Sequence, residues 1–65
     1  MLPENIKKHR LKLGISQDAL ARKADIPYST LVKIESGIRN DPRISTLTKI
    51  ADALEVSIDK LVGRK

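Results

Sequence analysis

The sequence predicts an all-α fold, a compact bundle of five short helices. Three observations carry that expectation. Leu, Ile and Ala recur at helical spacing along nearly the whole chain. Glycines or good N-capping residues stand where most of those apolar stripes end or begin. No stretch alternates apolar and polar residues for more than a few positions, which removes the strand alternative. At 65 residues the chain has room for one core and no second domain.

The first helix is expected at about residues 3–13. Pro3 suits a first helical position, where its missing N–H costs nothing, and Leu2, Ile6 and Leu13 make one stripe. Gly14 follows where a left-handed C-cap is usual. Ser16 is a good N-cap for a second helix, Gln17 to Ala24, which buries Leu20, Ala21 and Ala24. Asp25-Ile26-Pro27 reads as a three-residue turn. A third helix then runs from Pro27 or Tyr28 to Ser36, with Leu31 and Ile34 inward and Gly37 as its stop. Residues 38–43 are polar and irregular, and include the turn signature Asn40-Asp41-Pro42. Ile44, Leu47, Ile50, Ala51 and Leu54 stripe a fourth helix, 44–54. Ser57 caps a fifth, 58–62, which Gly63 ends. The sequence shows no repeat, no low-complexity tract and no linker.

Composition removes several functions. The absence of cysteine excludes a disulfide framework and a thiolate metal site, and the lone His9 has no second histidine with which to share a metal. No metal and no cofactor are therefore expected, and His9 reads as an ordinary polar residue. Tyr28 is the single aromatic residue, too few for a reader that stacks single-stranded bases. No apolar run approaches a membrane span and the first twenty residues lack a signal-peptide core, so the expectation is a soluble cytoplasmic protein with no membrane partner. Ser, Asp and His can be assembled on paper into a triad. Without a nucleophile elbow, a phosphate loop or paired carboxylates, an enzyme is not expected.

Charge points elsewhere. Thirteen Lys and Arg against eight Asp and Glu give a net charge of +5. Residues 1–24 hold six bases against two acids, residues 25–43 are balanced, and residues 44–65 are one base in excess. A basic end suggests a polyanionic partner.

The second and third helices with their short turn form the arrangement that lays a helix into the DNA major groove. Residues 17–36 resemble the twenty-residue helix-turn-helix signature. Gln17 is first, Ala21 is fifth where the helices cross, and Leu20, Ala24, Ile26, Leu31 and Ile34 are the apolar positions. The ninth residue must take positive φ and is normally glycine; here it is Asp25, which tolerates that region better than most. The likeness extends further. Ile6-Lys7-Lys8-His9-Arg10-Leu11-Lys12-Leu13-Gly14-Ile15-Ser16-Gln17, Ile34-Glu35-Ser36-Gly37 and Ile50-Ala51-Asp52-Ala53-Leu54-Glu55-Val56-Ser57 look like segments of the phage-repressor (Cro-like, xenobiotic-response-element) helix-turn-helix family. The resemblance implies a lambda-repressor-like DNA-binding domain over residues 1–65. It further implies a transcriptional regulator, most simply a homodimeric repressor on a palindromic double-stranded DNA operator. A minimal member of the family, with no catalytic or ligand-binding domain attached, is therefore expected, nucleoid-associated when bound to DNA.

Helix geometry names the contacts. With Leu31 and Ile34 inward, Ser29, Val32, Lys33 and Ser36 fall on the opposite face, and Tyr28 flanks them. Lys33 can donate to guanine, Ser29 can donate or accept, and Val32 can pack on a thymine methyl; Tyr28 and Thr30 are the other base-contacting candidates. The alternative, a merely solvated face, gives no reason for Val32 and Tyr28. Ser16 and Gln17 begin a helix, where free N–H groups suit a phosphate, and the family residue matching Gln17 contacts one. Arg10, Arg39, Asn40 and Arg43 complete the expected phosphate contacts, with solvated loop charge as the competing reading for the last three. Lys7, Lys8, Lys12, Arg22 and Lys23 are assigned diffuse attraction. Arg10 and Glu35 match a pair that in related repressors ties the first helix to the end of the recognition helix. A dimer interface is expected around residues 54–63, at Leu54, Ile58, Leu61 and Val62. The second hypothesis is an antitoxin- or adaptor-type module that keeps the fold and grips a protein partner; the acids Asp25 and Asp41 favour it.

Overall fold

Among the described residues five helices form, each closed by a local signal in the sequence. The computed structural model describes residues 2–38 and 42–63, and among these there is no strand. The helices are α1 (Leu2–Lys12), α2 (Gln17–Ala24), α3 (Tyr28–Glu35), α4 (Ile44–Leu54) and α5 (Ile58–Val62). Ser16 caps α2 by accepting from the Ala19 N–H at 3.1 Å, and Ser57 caps α5 by accepting from the Lys60 N–H at 3.2 Å. The caps of α3 and α4 are the extended residues Pro27 and Arg43, neither of which supplies a side-chain bond.

The core is drawn from all five helices. Ile6, Leu20, Leu31, Ile34, Ile50 and Leu61 are fully buried, with Ala21, Ala24, Ala51, Ala53 and Leu54 around them. Each buried Leu or Ile contributes ~1.5–3 kcal/mol of apolar burial. The small side chains of Ala21 and Ala24 allow α2 to pack closely on both α3 and α4. Leu13 is not part of this core. Helix α1 ends at Lys12, which leaves Leu13 in the following turn at 41% exposed, while Arg10 and the half-buried Ile15 turn inward.

A repeat that residue types alone do not reveal is present in the fold. Helices α2 and α3 with their turn, and α4 and α5 with theirs, correspond at an offset of 30 residues. Asp25 (φ 56°) and Glu55 (φ 60°) both take the left-handed conformation that ends the first helix. The Asp25 and Glu55 N–H groups donate to Arg22 and Asp52 carbonyls at 3.2 and 3.1 Å. The Ile26 and Val56 N–H groups donate to Ala21 and Ala51 carbonyls, both at 3.0 Å. Leu20 pairs with Ile50, Ala21 with Ala51 and Leu31 with Leu61, and all six are buried.

This correspondence corrects part of the expected dimer interface. Leu61 is the counterpart of the core residue Leu31 and is 0% exposed; Leu54 is 3% exposed. Both lie in the core of the single chain and offer no surface to a partner. Ile58 and Val62 are half-buried, and Ile58 packs partly against the core.

Candidate nucleic-acid interface

Helix α3 turns Leu31 and Ile34 into the core and Glu35 into a buried ion pair, and its opposite side faces out. Ser29 and Lys33 are exposed, Tyr28 stands half-exposed at the N-terminal end, and Thr30 and Val32 are half-buried on the flanks. Ser36 closes the helix, where its hydroxyl donates to the Lys33 carbonyl at 3.0 Å. Pro27 fixes the entry to α3 but brings no capping group to its first-turn amides.

The helix is held in place by one buried ion pair. Arg10 Nε donates to Glu35 Oε2 at 3.0 Å and Arg10 Nη2 donates to Glu35 Oε1 at 3.2 Å, a bidentate pair. Arg10 Nη1 donates to the Ile15 carbonyl at 2.9 Å. The two side chains are only 10% and 4% exposed. One guanidinium therefore ties α1, the segment leading into α2, and the end of α3. Three of its five N–H groups are so engaged and the side chain is 10% exposed, which makes Arg10 a brace and leaves two N–H groups without a partner among the described residues.

Between these elements lies a cleft of about 320 Å³ lined by Lys7, Arg10, Gln17, Val32, Glu35 and Ser36. Its charged floor is neutralised internally, because Glu35 is paired with Arg10. The ammonium of Lys7 has no carboxylate within 4.0 Å among the described residues. Gln17 opens α2, where Ser16 takes only one of the first-turn amides. The cleft thus offers an ammonium, an amide side chain and a helix start, all suited to an anionic oxygen, whereas the Ser36 hydroxyl already donates its one proton to the Lys33 carbonyl. The sequence assigns Lys7 only diffuse attraction and places Ser36 on the outward face of α3 without a named contact. Lys7 lies one helical turn before Arg10, and that spacing was the signal for it.

The remaining candidates are placed less centrally. Arg43 is exposed just before α4. Arg39 and Asn40, expected at phosphates, lie outside the described residues. Arg22 pairs with Asp18 at 3.3 Å and Lys23 with Glu55 at 3.8 Å, both on the surface and worth little. His9 sits on α1 towards α5, and its pKa is lowered by desolvation and by the nearby Lys12, Lys8 and Lys60. Among the described residues no group of three His, Cys, Asp or Glu could hold a metal ion, and no helix is long and apolar enough to cross a membrane.

A helix-turn-helix family model matches residues 6–61. The chain is 38% identical over 63 residues to the cryptic phage CTXphi transcriptional repressor RstR of Vibrio cholerae serotype O1, a match that covers 97% of this chain and 55% of that protein. It therefore spans about half the length of that relative. The fold superimposes on the N-terminal DNA-binding domain of SinR from Bacillus subtilis with a TM-score of 0.94 at 35% identity, covering 100% of this chain and 94% of that one. It also superimposes on SinR, the master regulator for biofilm formation, in a crystal structure with DNA, with a TM-score of 0.92 at 35% identity, covering 95% of this chain and 98% of that one. A signature that matches from Ile6 to Leu61, on a fold with α3 braced and its outer face bare, leads to one assignment: the chain belongs to the helix-turn-helix family, of the phage-repressor (Cro-like) type.

Proposed function

We propose that this chain is a sequence-specific DNA-binding regulator of transcription, acting as a homodimeric repressor that covers a promoter. The observation that carries the reading is the rigid presentation of α3. Its outer face is exposed, its far end is locked to α1 by the Arg10–Glu35 pair, and a cationic cleft runs beside it. The same fold in SinR was crystallised with DNA.

In this reading α3 enters the major groove. Tyr28, Ser29, Thr30, Val32 and Lys33 meet base edges, with Lys33 as donor to guanine and Val32 against a thymine methyl. The cleft seats a backbone phosphate at Lys7 and Gln17, next to the capping residue Ser16, and Arg43 reaches a second phosphate. Arg39 and Asn40 extend that contact along the backbone. Phosphate neutralisation supplies most of the affinity, and the α3 face supplies discrimination. A two-fold dimer would meet through Ile58 and Val62 and set its two α3 helices ~34–36 Å apart, one turn of DNA.

Selection of bound duplexes from a random library at about 150 mM salt tests this directly. An enriched imperfect palindrome is the expected result. Recovery of unselected DNA would remove sequence-specific recognition, and recovery of none would move the weight to a protein partner.

A further inference from the structure

The outer face of α1 carries an exposed apolar spot that the DNA reading leaves without a role. Glu4, Lys7, Lys8, Leu11 and Lys12 line a shallow hollow of about 520 Å³. Leu11 is 59% exposed there, and the lining is almost wholly carbon, from the leucine and the aliphatic stems of the lysines. None of the three ammonium groups has a carboxylate within 4.0 Å among the described residues. An apolar spot ringed by three unpaired cations and one carboxylate, Glu4, carries net positive charge and is complementary to an apolar group ringed by carboxylates.

Other occupants fit worse. A DNA backbone satisfies the lysines but has nothing for Leu11. A second copy of this face would bring six ammonium groups together against only two carboxylates. A lipid surface needs an apolar stripe much larger than one leucine. Lys7 adds a consequence, because it lines both this hollow and the cleft beside α3.

We propose that the outer face of α1 docks an acidic protein segment with an apolar anchor, and that docking opposes DNA binding by drawing Lys7 away from the cleft. The docking stands on the α1 surface alone; the antagonism rests on the DNA reading. By linkage, whatever weakening the segment imposes on DNA, DNA imposes equally on the segment.

The test uses the full chain and a fluorescent synthetic helical peptide that carries one leucine surrounded by glutamates on a single face. A scrambled peptide of the same composition is the control. Saturable binding of the first peptide, well above the control, is expected. Leu11→Lys keeps an exposed helix former and adds positive charge, and should weaken binding by about tenfold or more. An unchanged or tighter complex would mean that charge alone holds the peptide, and would overturn the proposal; so would no binding, or equal binding of the control. A dimer that Leu11→Lys dissociates, seen by sedimentation, would make a second copy the occupant and overturn it too. The peptide should also reduce affinity for a random-sequence duplex, an effect that Lys7→Ala largely removes. Peptide binding without that reduction overturns the antagonism and leaves docking intact. A chain that binds the peptide and no duplex at all would instead overturn the DNA reading.

Discussion

Helices α2 and α3 and helices α4 and α5 turn from one helix to the next in the same way, but the second helix of each pair meets a different environment. In both units an acid in the left-handed conformation is followed by a half-buried β-branched residue, and a leucine of the second helix enters the core. Outward, α3 presents Tyr28, Ser29 and Lys33 over eight residues, whereas α5 is five residues long and presents Asp59 and Lys60. Their ties to α1 differ as well. Glu35 of α3 is held by a bidentate guanidinium inside the fold, but α5 is held by a single bond from Asn5 Nδ2 to the Leu61 carbonyl at 3.0 Å. The inner positions of both units obey the same packing rule, so what distinguishes them is the outer face and the strength of the brace. The helix proposed to read DNA is the one whose orientation is fixed twice over.

The most severe way to break that difference is to remove the brace. Glu35→Ala leaves a buried guanidinium without its partner and should cost ~3–5 kcal/mol, comparable with the whole stability of a domain this small. Asn5→Ala should cost only ~0.5–1.5 kcal/mol. Urea unfolding of both variants compares the two ties. Equal losses would mean that α3 and α5 are braced alike.

The shared interior is tested next. Leu31→Ala and Leu61→Ala each empty a fully buried site and should each cost ~2–5 kcal/mol. A loss below ~1 kcal/mol at Leu61 alone would reduce the correspondence to a likeness of two turns.

The helices were legible from residue types, because caps and apolar spacing act locally. The observed ends of α2, α4 and α5 coincide with the expected ones, and α1 and α3 shift by a residue or so. Leu13 misleads because its place on the stripe matters only if α1 continues past Lys12. Leu54 and Leu61 mislead because an apolar residue near a chain end fits a core and an interface equally well. The repeat was hidden for a different reason. Over residues 20–33 and 50–63 only Ala21/Ala51, Leu31/Leu61 and Val32/Val62 are identical, and the correspondence is otherwise one of shape and polarity, such as Asp25 with Glu55. At the candidate interface the outward set on α3 followed from helical angle alone. The cleft did not, since it depends on how α1 crosses α3, and nothing local in sequence sets that crossing.

On DNA the two units should separate completely. Lys33→Ala is expected to weaken a selected duplex by ~1–3 kcal/mol and to flatten preference at one base pair, as mobility-shift titrations on cognate and random duplexes would show. Lys60→Ala, the exposed lysine of the second unit's second helix and the counterpart of Thr30, should alter neither preference nor the gap between cognate and random DNA. An equal loss for Lys33→Ala on both duplexes would remove Lys33 from base readout.

A smaller effect is expected where the units agree most closely. Asp25→Gly and Glu55→Gly relieve positive φ at both turns, partly offset by the greater freedom of glycine in the unfolded chain, so each should stabilise by up to ~1 kcal/mol. Glu55→Gly also removes the ion pair with Lys23, but that pair is exposed at 3.8 Å and its removal should not reverse the sign. Thermal melts with opposite signs at the two positions would show that one turn is strained and the other is not.

The finest distinction lies in how the α5 side of α1 responds to acid. Desolvation lowers the pKa of His9, aided by Lys12 and Lys8 on its own helix and Lys60 on α5. In the folded chain His9 therefore takes up its proton below the usual 6.5, while the unfolded chain takes it up near that value. Between those two points the unfolded state binds more protons, so stability must fall as pH drops through the window and level off below the folded pKa. Above about pH 6.5 the contribution is complete. Melting temperatures followed from about pH 7 to 5 should decline less for His9→Gln than for the parent, and the difference isolates His9 from any carboxylate that begins to titrate near the lower end. A variant that declines more steeply would mean that protonated His9 finds a favourable partner in the fold, and that the lysines of α1 and α5 do not govern it.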